Sequence, residues 1–158
     1  MKRLDILGVR VEMPSKQPLV LLKESGGTRY LPIWIGPVEA TAIAIAQQQM
    51  ATTRPQTHEL LVSVIESLGD EVRSVDIVDV REGVYYARLN FTSGASVDAR
   101  PSDSLAIALR VGAEIWAADD VLDSAGVIEE SGPADQDAEI ERFREFLDEV
   151  DPEDFEEH

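Results

Sequence analysis

No cysteine occurs anywhere in the chain. Disulfides, thiolate nucleophiles and zinc–thiolate centres are thereby excluded, and any metal must be held by oxygen or imidazole. Histidine is nearly as scarce, with only His58 and His158. Aromatic residues make up 6% of the sequence, and the aromatic-free stretch DARPSDS at 98–104 offers no platform on which bases could stack. No apolar run reaches the roughly 18 residues expected of a membrane span. The opening MKRLDILGVRVEM alternates charged with apolar residues and lacks the apolar centre of a signal peptide. A cytoplasmic protein without a membrane partner is the expectation. Also missing are a glycine-rich phosphate loop, a dinucleotide fingerprint, His-Glu-x-x-His and Gly-x-Ser-x-Gly, which sets aside the enzyme classes that depend on them.

What is present suits one folded domain. The chain has 158 residues, 44% of them hydrophobic and 28% charged, an ordinary globular balance. Its net charge of −17 is unevenly spread. From Glu129 onward there are 14 acidic and 2 basic residues, net −12, which leaves net −5 for residues 1–128. The expected organisation is therefore a domain over 1–128 and an acidic tail over 129–158. Within the tail, Ile140, Phe143, Phe146, Leu147 and Val150 have the spacing of an amphipathic helix. Such a block reads as a solvated appendage, or as a regulatory tail that covers basic surface.

Apolar alternation punctuated by turn residues predicts strands at 4–13, 19–23 and 30–35, and again at 72–80, 84–91 and 95–99. Gly26-Gly27, Glu82-Gly83 and Ser93-Gly94 supply the turns. Helices are expected from Pro37 to about Met50, from His58 to about Leu68 with Thr57 as N-cap, and from Pro101 to near Gly112. Leu60, Leu61, Val64, Ile65 and Leu68 form the apolar face of the second helix. A brief strand at Glu114–Ala117 and a short helix around 120–125 complete the domain. The fold class is α+β, a mainly antiparallel sheet built from two meanders with helices packed against it. Because at least two helices are apolar all round, self-association into a homo-oligomer is also expected.

Two octapeptides echo each other. PVEATAIA from Pro37 and PSDSLAIA from Pro101 share a proline, an acid two residues on, and Ala-Ile-Ala at the same offset, each after an expected strand. Helix-start grammar alone accounts for this, since carboxylates favour the positive end of a helix. A true duplication would bring Glu39 and Asp103 to one cleft. His58 stands at another helix start, where the dipole keeps the ring neutral and available as ligand or base. The run Asp98-Ala-Arg100-Pro-Ser102-Asp103 packs two acids, a guanidinium and a hydroxyl into one corner. Phosphodiester hydrolysis calls for hard oxygen ligands for Mg²⁺ or Mn²⁺ and a cation for phosphate, so the parts are present. Taken alone, an Arg100–Asp98 ion pair bracing the corner is the more ordinary account.

Three segments, LPIWIGPVEATAIA from Leu31, RPQTHELL from Arg54 and DARPSDSLAIALR from Asp98, together resemble the bifunctional nuclease family in order and spacing. The resemblance covers about residues 1–128, and FREFLDEVDPEDF from Phe143 is also similar to the ending of family members. It implies an α+β fold, self-association, and hydrolysis of DNA and RNA with divalent metal as a requirement. The family's polar positions fall on Glu39, Arg54, Thr57, His58, Asp98, Arg100, Ser102 and Asp103. Glu59 departs from the aspartate expected after the histidine, and Gln47–Gln49 replace a more apolar helix end. The working assignment makes Asp98, Asp103 and Glu39 metal ligands, His58 a ligand or general base, and Arg54, Arg100 and Ser102 phosphate contacts. The competing reading is a non-catalytic oligomeric ligand-binding or regulatory domain, favoured by the net negative charge of the domain.

Overall fold

Alternation along each strand decides which side of the sheet is buried. In the computed structural model, which describes residues 1–128, eight strands form one sheet in the order β6-β5-β4-β7-β1-β2-β3-β8. The strands are β1 (Lys2–Glu12), β2 (Gln17–Glu24), β3 (Arg29–Trp34), β4 (Val72–Arg81), β5 (Val84–Phe91), β6 (Ser96–Ala99), β7 (Glu114–Ala117) and β8 (Val127–Ile128). Four helices accompany them: α1 (Pro37–Gln47), α2 (Thr57–Ser67), α3 (Pro101–Val111) and α4 (Asp119–Ala125). On β5, Ala87, Leu89 and Phe91 face the core while Val84, Tyr86 and Arg88 face outward, a period of two residues. The class is α+β with mainly antiparallel pairing, as expected from the sequence. Every strand pair is antiparallel except β4 with β7, and β7 joins the two groups of strands by pairing with β1 as well. The acidic tail and the amphipathic pattern from Ile140 to Val150 lie outside the described residues.

The sheet is strongly curled. β5 and β3 stand five places apart in the strand order, about 24 Å in a flat sheet at ~4.8 Å per strand. Yet the Tyr85 hydroxyl on β5 donates to the Pro32 carbonyl on β3 at 3.3 Å, and α4 touches both β3 and β4. Curling encloses Val20, Leu22, Leu31, Val75 and Ile77, none of them solvent-exposed. α3 lies against β4, β5 and β7, α1 lies against β1 and β2, and the two helices pack on each other. Ile43 of α1 and Ile107 of α3, equivalent positions in the two octapeptides, are both fully buried. α3 stops where Gly112 adopts φ 70°, a left-handed conformation that a side chain would strain.

α2 corrects two expectations. Thr57 is its first residue and not its cap; Gln56 is the N-cap, and no side chain caps the helix. The leucine-rich face is not the buried one either. Leu60, Leu61, Val64 and Leu68 are 41–80% exposed, whereas His58, Val62 and Ile65, at i, i+4 and i+7, turn inward. His58 and its neighbour Glu59 make the polar contacts of this side, described below.

Removal of side-chain volume from the two sides of this structure should therefore differ. Leu105→Ala, inside the core, should cost about 2–5 kcal/mol, against about 0.5 kcal/mol or less for Leu61→Ala on α2. Urea unfolding midpoints at constant slope measure both.

Candidate active site

The starts of α1, α2 and α3 contribute polar residues to a common corner. Pro37 and Pro101 occupy first-turn positions of α1 and α3, where a missing N–H costs nothing because no intrahelical partner exists there. Glu39 and Asp103 follow in those first turns, close to the positive ends of the two helices. Arg100, the N-cap residue of α3, lies between them. Its Nη1 donates to Glu39 Oε1 at 3.0 Å and its Nε donates to Asp103 Oδ2 at 2.9 Å. The Glu39 carboxylate folds back over Gly36, where a β-carbon would collide with Oε2. The two echoing octapeptides thus present their acids to one guanidinium.

The other oxygen of Asp103 meets α2. His58 Nε2 and Asp103 Oδ1 are 2.9 Å apart. Burial raises the Asp103 pKa, but hydrogen bonds from His58 and Arg100 and the charge of Arg100 outweigh it, and the group is held below the usual carboxylate range. An ionised carboxylate only accepts, so a His58 proton in this contact sits on Nε2, leaving Nδ1 as the ring's other nitrogen. Hydrogen bonds to Asp103 and Glu39 raise the Arg100 pKa above its ordinary value and keep the guanidinium charged. Since the Arg100 side chain is 63% exposed, its ion pairs are screened and contribute little to stability, about 0–1 kcal/mol each. Their consequence is geometric: they hold three groups in register.

The neighbouring residue makes a second link between α2 and α3. Glu59 Oε1 lies 3.1 Å from Arg110 Nη1 and accepts from Thr52 Oγ1 at 3.3 Å. The sequence marked Glu59 only as a departure from an expected aspartate, and Arg110 and Thr52 not at all. The available signal was the spacing of Asp103 and Arg110, seven residues or two turns apart on one helix face. Nothing in the sequence says that α2 crosses that face.

The remaining expected residues are placed differently. Asp98 shares a sheet face with Arg88 and Ser96, opposite to Ala87 and Leu89, which face the core. Its side chain does not join the Glu39–Arg100–Asp103–His58 chain, and Arg100 pairs with Glu39 and Asp103, not with Asp98. Ser102 is 8% exposed beneath the start of α3. Arg54 is exposed in the connection between α1 and α2, where its carbonyl accepts from Thr52. As arranged, the expected metal ligands do not form a coordination set. Glu39 and Asp103 are directed at Arg100, Asp98 is on the other side of the sheet, and among the described residues no group of three or more His, Asp or Glu side chains gathers to hold a metal.

One family model and several known proteins resemble this chain. The bifunctional nuclease domain model matches residues 20–130, a span that contains every residue of the corner. An uncharacterized protein of Mycobacterium tuberculosis (strain ATCC 25618 / H37Rv) is 48% identical over 161 residues, covering 98% of each chain. Bifunctional nuclease 1 of Arabidopsis thaliana is 29% identical over 100 residues, 59% of this chain and 31% of the plant protein. Bifunctional nuclease 2 of Oryza sativa subsp. japonica is 27% identical over 110 residues, 65% of this chain and 34% of the plant protein. The aligned region is thus about a third of each plant protein. No helix among the described residues is long and apolar enough to cross a membrane.

The depressed Asp103 pKa has a definite sign. A lowered folded-state value means that the ionised carboxylate contributes stability above its ordinary value of 3.8, and that this contribution is lost as pH falls through the lower folded value. Asp103→Asn should be less stable than wild type at neutral pH, with the gap closing below about pH 4. Chemical denaturation from neutral to acid pH measures the gap, and a constant gap would remove the charge from this account.

Proposed function

Because the chain belongs to the bifunctional nuclease domain family, we propose that this corner hydrolyses phosphodiester bonds of DNA or RNA, with His58 as general base, Asp103 orienting it, and Arg100 and Arg54 binding phosphate. The observation that carries the reading is the unbroken run Glu39–Arg100–Asp103–His58. It is drawn from the first turns or caps of three helices, whose positive ends favour an anionic substrate.

The chemistry follows from the arrangement. Arg100 Nη2 bonds to neither carboxylate and is the donor offered to a non-bridging phosphate oxygen. Arg54 supplies a second cation from the exposed connection. Water attacks phosphorus, its proton passes to His58 Nδ1, the bond from phosphorus to the departing sugar oxygen breaks, and solvent protonates that oxygen. Asp103 stabilises the imidazolium that forms, as a buried carboxylate does for a general-base histidine elsewhere. All the named contacts go to phosphate, so the action carries little sequence preference. Glu39 keeps the guanidinium in place without touching substrate.

A metal-assisted route would ask for a different arrangement of the same oxygens, because Glu39 and Asp103 now serve Arg100. Titration with EDTA and Mn²⁺ tests whether activity requires a divalent ion. The second reading, a non-catalytic ligand-binding domain, draws on the net charge of −5 over residues 1–128. Activity of highly purified wild type, His58→Ala and Asp103→Asn on single-stranded DNA, duplex DNA and RNA separates the readings. Loss of about 10²–10⁴-fold in kcat is expected for His58→Ala, as for removal of a general base. Equal activity in all three preparations would leave the binding reading standing.

The exposed stripe Leu60, Leu61, Val64 and Leu68 supports the further expectation that the chain self-associates. Light scattering at micromolar concentration should return a mass above the 17.4 kDa of one chain, and Leu60→Lys with Val64→Lys should lower it. A monomeric wild type would count against this.

A further inference from the structure

α2 is attached to the rest of the protein in an unusual way. It has no fully buried residue, and its apolar contribution to the core is confined to the partly buried Val62 and Ile65. An isolated helix of 11 residues is marginal in water. Its first turn, however, makes two polar links to one face of α3. His58 reaches Asp103 near the start of that helix and Glu59 reaches Arg110 near its end. Asp103 and Arg110 are separated by about 10 Å along the axis, at 1.5 Å per residue, and by only about 20° around it. Two adjacent residues of α2 therefore straddle α3 lengthwise. One link fixes where α2 sits, whereas two links at different heights also fix its rotation and tilt.

The second link is built more firmly than a surface ion pair. The side chains of Arg110 and Glu59 are 15% and 30% exposed, and Arg110 Nε is buried without a hydrogen-bond partner. A cation so enclosed is compensated by Glu59 alone among the described residues, so the guanidinium cannot turn away without cost. Thr52 Oγ1 lies 2.9 Å from the Arg54 carbonyl and 3.3 Å from Glu59 Oε1, so its one proton is shared between them. The connection that carries Arg54 is thereby tied to the same anchor.

We propose that Glu59 and Arg110 are positioning residues: their ion pair sets α2 so that His58 meets Asp103. This rests on the reading of His58 as the general base. Neither residue touches the reacting atoms. Misplacing a catalytic group by an ångström costs about 10²-fold in rate, and a loss of that order in kcat, with little change in KM, is expected when the pair is broken.

The test separates positioning from folding and from the nuclease reading itself. His58 and His158 are the only histidines, so ¹⁵N spectra of the imidazole rings show two spin systems, and His158→Gln identifies the one from His58. At a fixed neutral pH, Asp103→Asn defines the His58 ring signal without its carboxylate partner. Arg110→Met should move the wild-type signal toward that value while the amide spectrum stays that of a folded protein. Glu59→Gln should do the same by a different route and supplies the measurement if Arg110→Met does not fold. Arg110→Lys, which keeps the charge, should restore the signal in part. An unchanged ring signal in folded Arg110→Met or Glu59→Gln overturns the proposal, whatever the stability of the variants. The ring signal answers the question whether or not the wild type cleaves nucleic acid. If it cleaves, kcat of Arg110→Met should fall about 10²-fold in parallel, and full activity would likewise overturn the proposal.

Discussion

Two carboxylates brought together at helix starts repel each other unless a cation lies between them, and here the Arg100 guanidinium does so. Glu39 arrives from α1 and Asp103 from α3 because the helices pack on each other through their buried faces. Core packing therefore forces the acids together, and a planar group with several donors accommodates both. An ammonium at the same place would offer one point of charge instead of two directed bonds. With Asp103 committed through one oxygen to Arg100, its other oxygen is left to define the orientation of His58.

The molecule divides its tasks accordingly. The curled sheet with α1 and α3 carries the apolar burial, and fully buried Ile43, Leu105 and Ile107 lock those helices onto it. α2 carries chemistry but little burial. Its hold on the fold is two charge-assisted contacts and a narrow apolar strip, which places it at the low end of local stability. Substitutions in the core should thus act on the whole domain, while changes in the polar links act first on the relative placement of His58 and its partners.

The leucines of α2 show how an apolar stripe misleads. Sequence periodicity identifies a helix with Leu60, Leu61, Val64, Ile65 and Leu68 along one side, and the usual inference is that this side is buried. The buried side is the strip of His58, Val62 and Ile65. Two adjacent first-turn residues, His58 and Glu59, reach α3, and the leucines lie on the outer side. Asp98 lies apart from the corner for a related reason. Its closeness in sequence to Arg100 and Asp103 suggested a shared site, but it is still on a strand, where alternation sends it to the outer face beside Arg88.

Much of the framework was legible in the residues themselves. Turn pairs such as Glu82-Gly83, prolines at helix starts and Gly112 at a helix end act locally, so the elements they bound could be read within a few residues of their positions. The same holds for the kinship, since the three motif segments are contiguous and their order does not depend on folding. The two octapeptides pointed to one cleft for Glu39 and Asp103. Tertiary structure alone decided that Arg100 joins them, that Asp98 is excluded, and that Glu59 and Arg110 link α2 to α3. These facts depend on how helices far apart in the chain cross one another, and crossing geometry is set by the packing of whole faces, which no local pattern encodes.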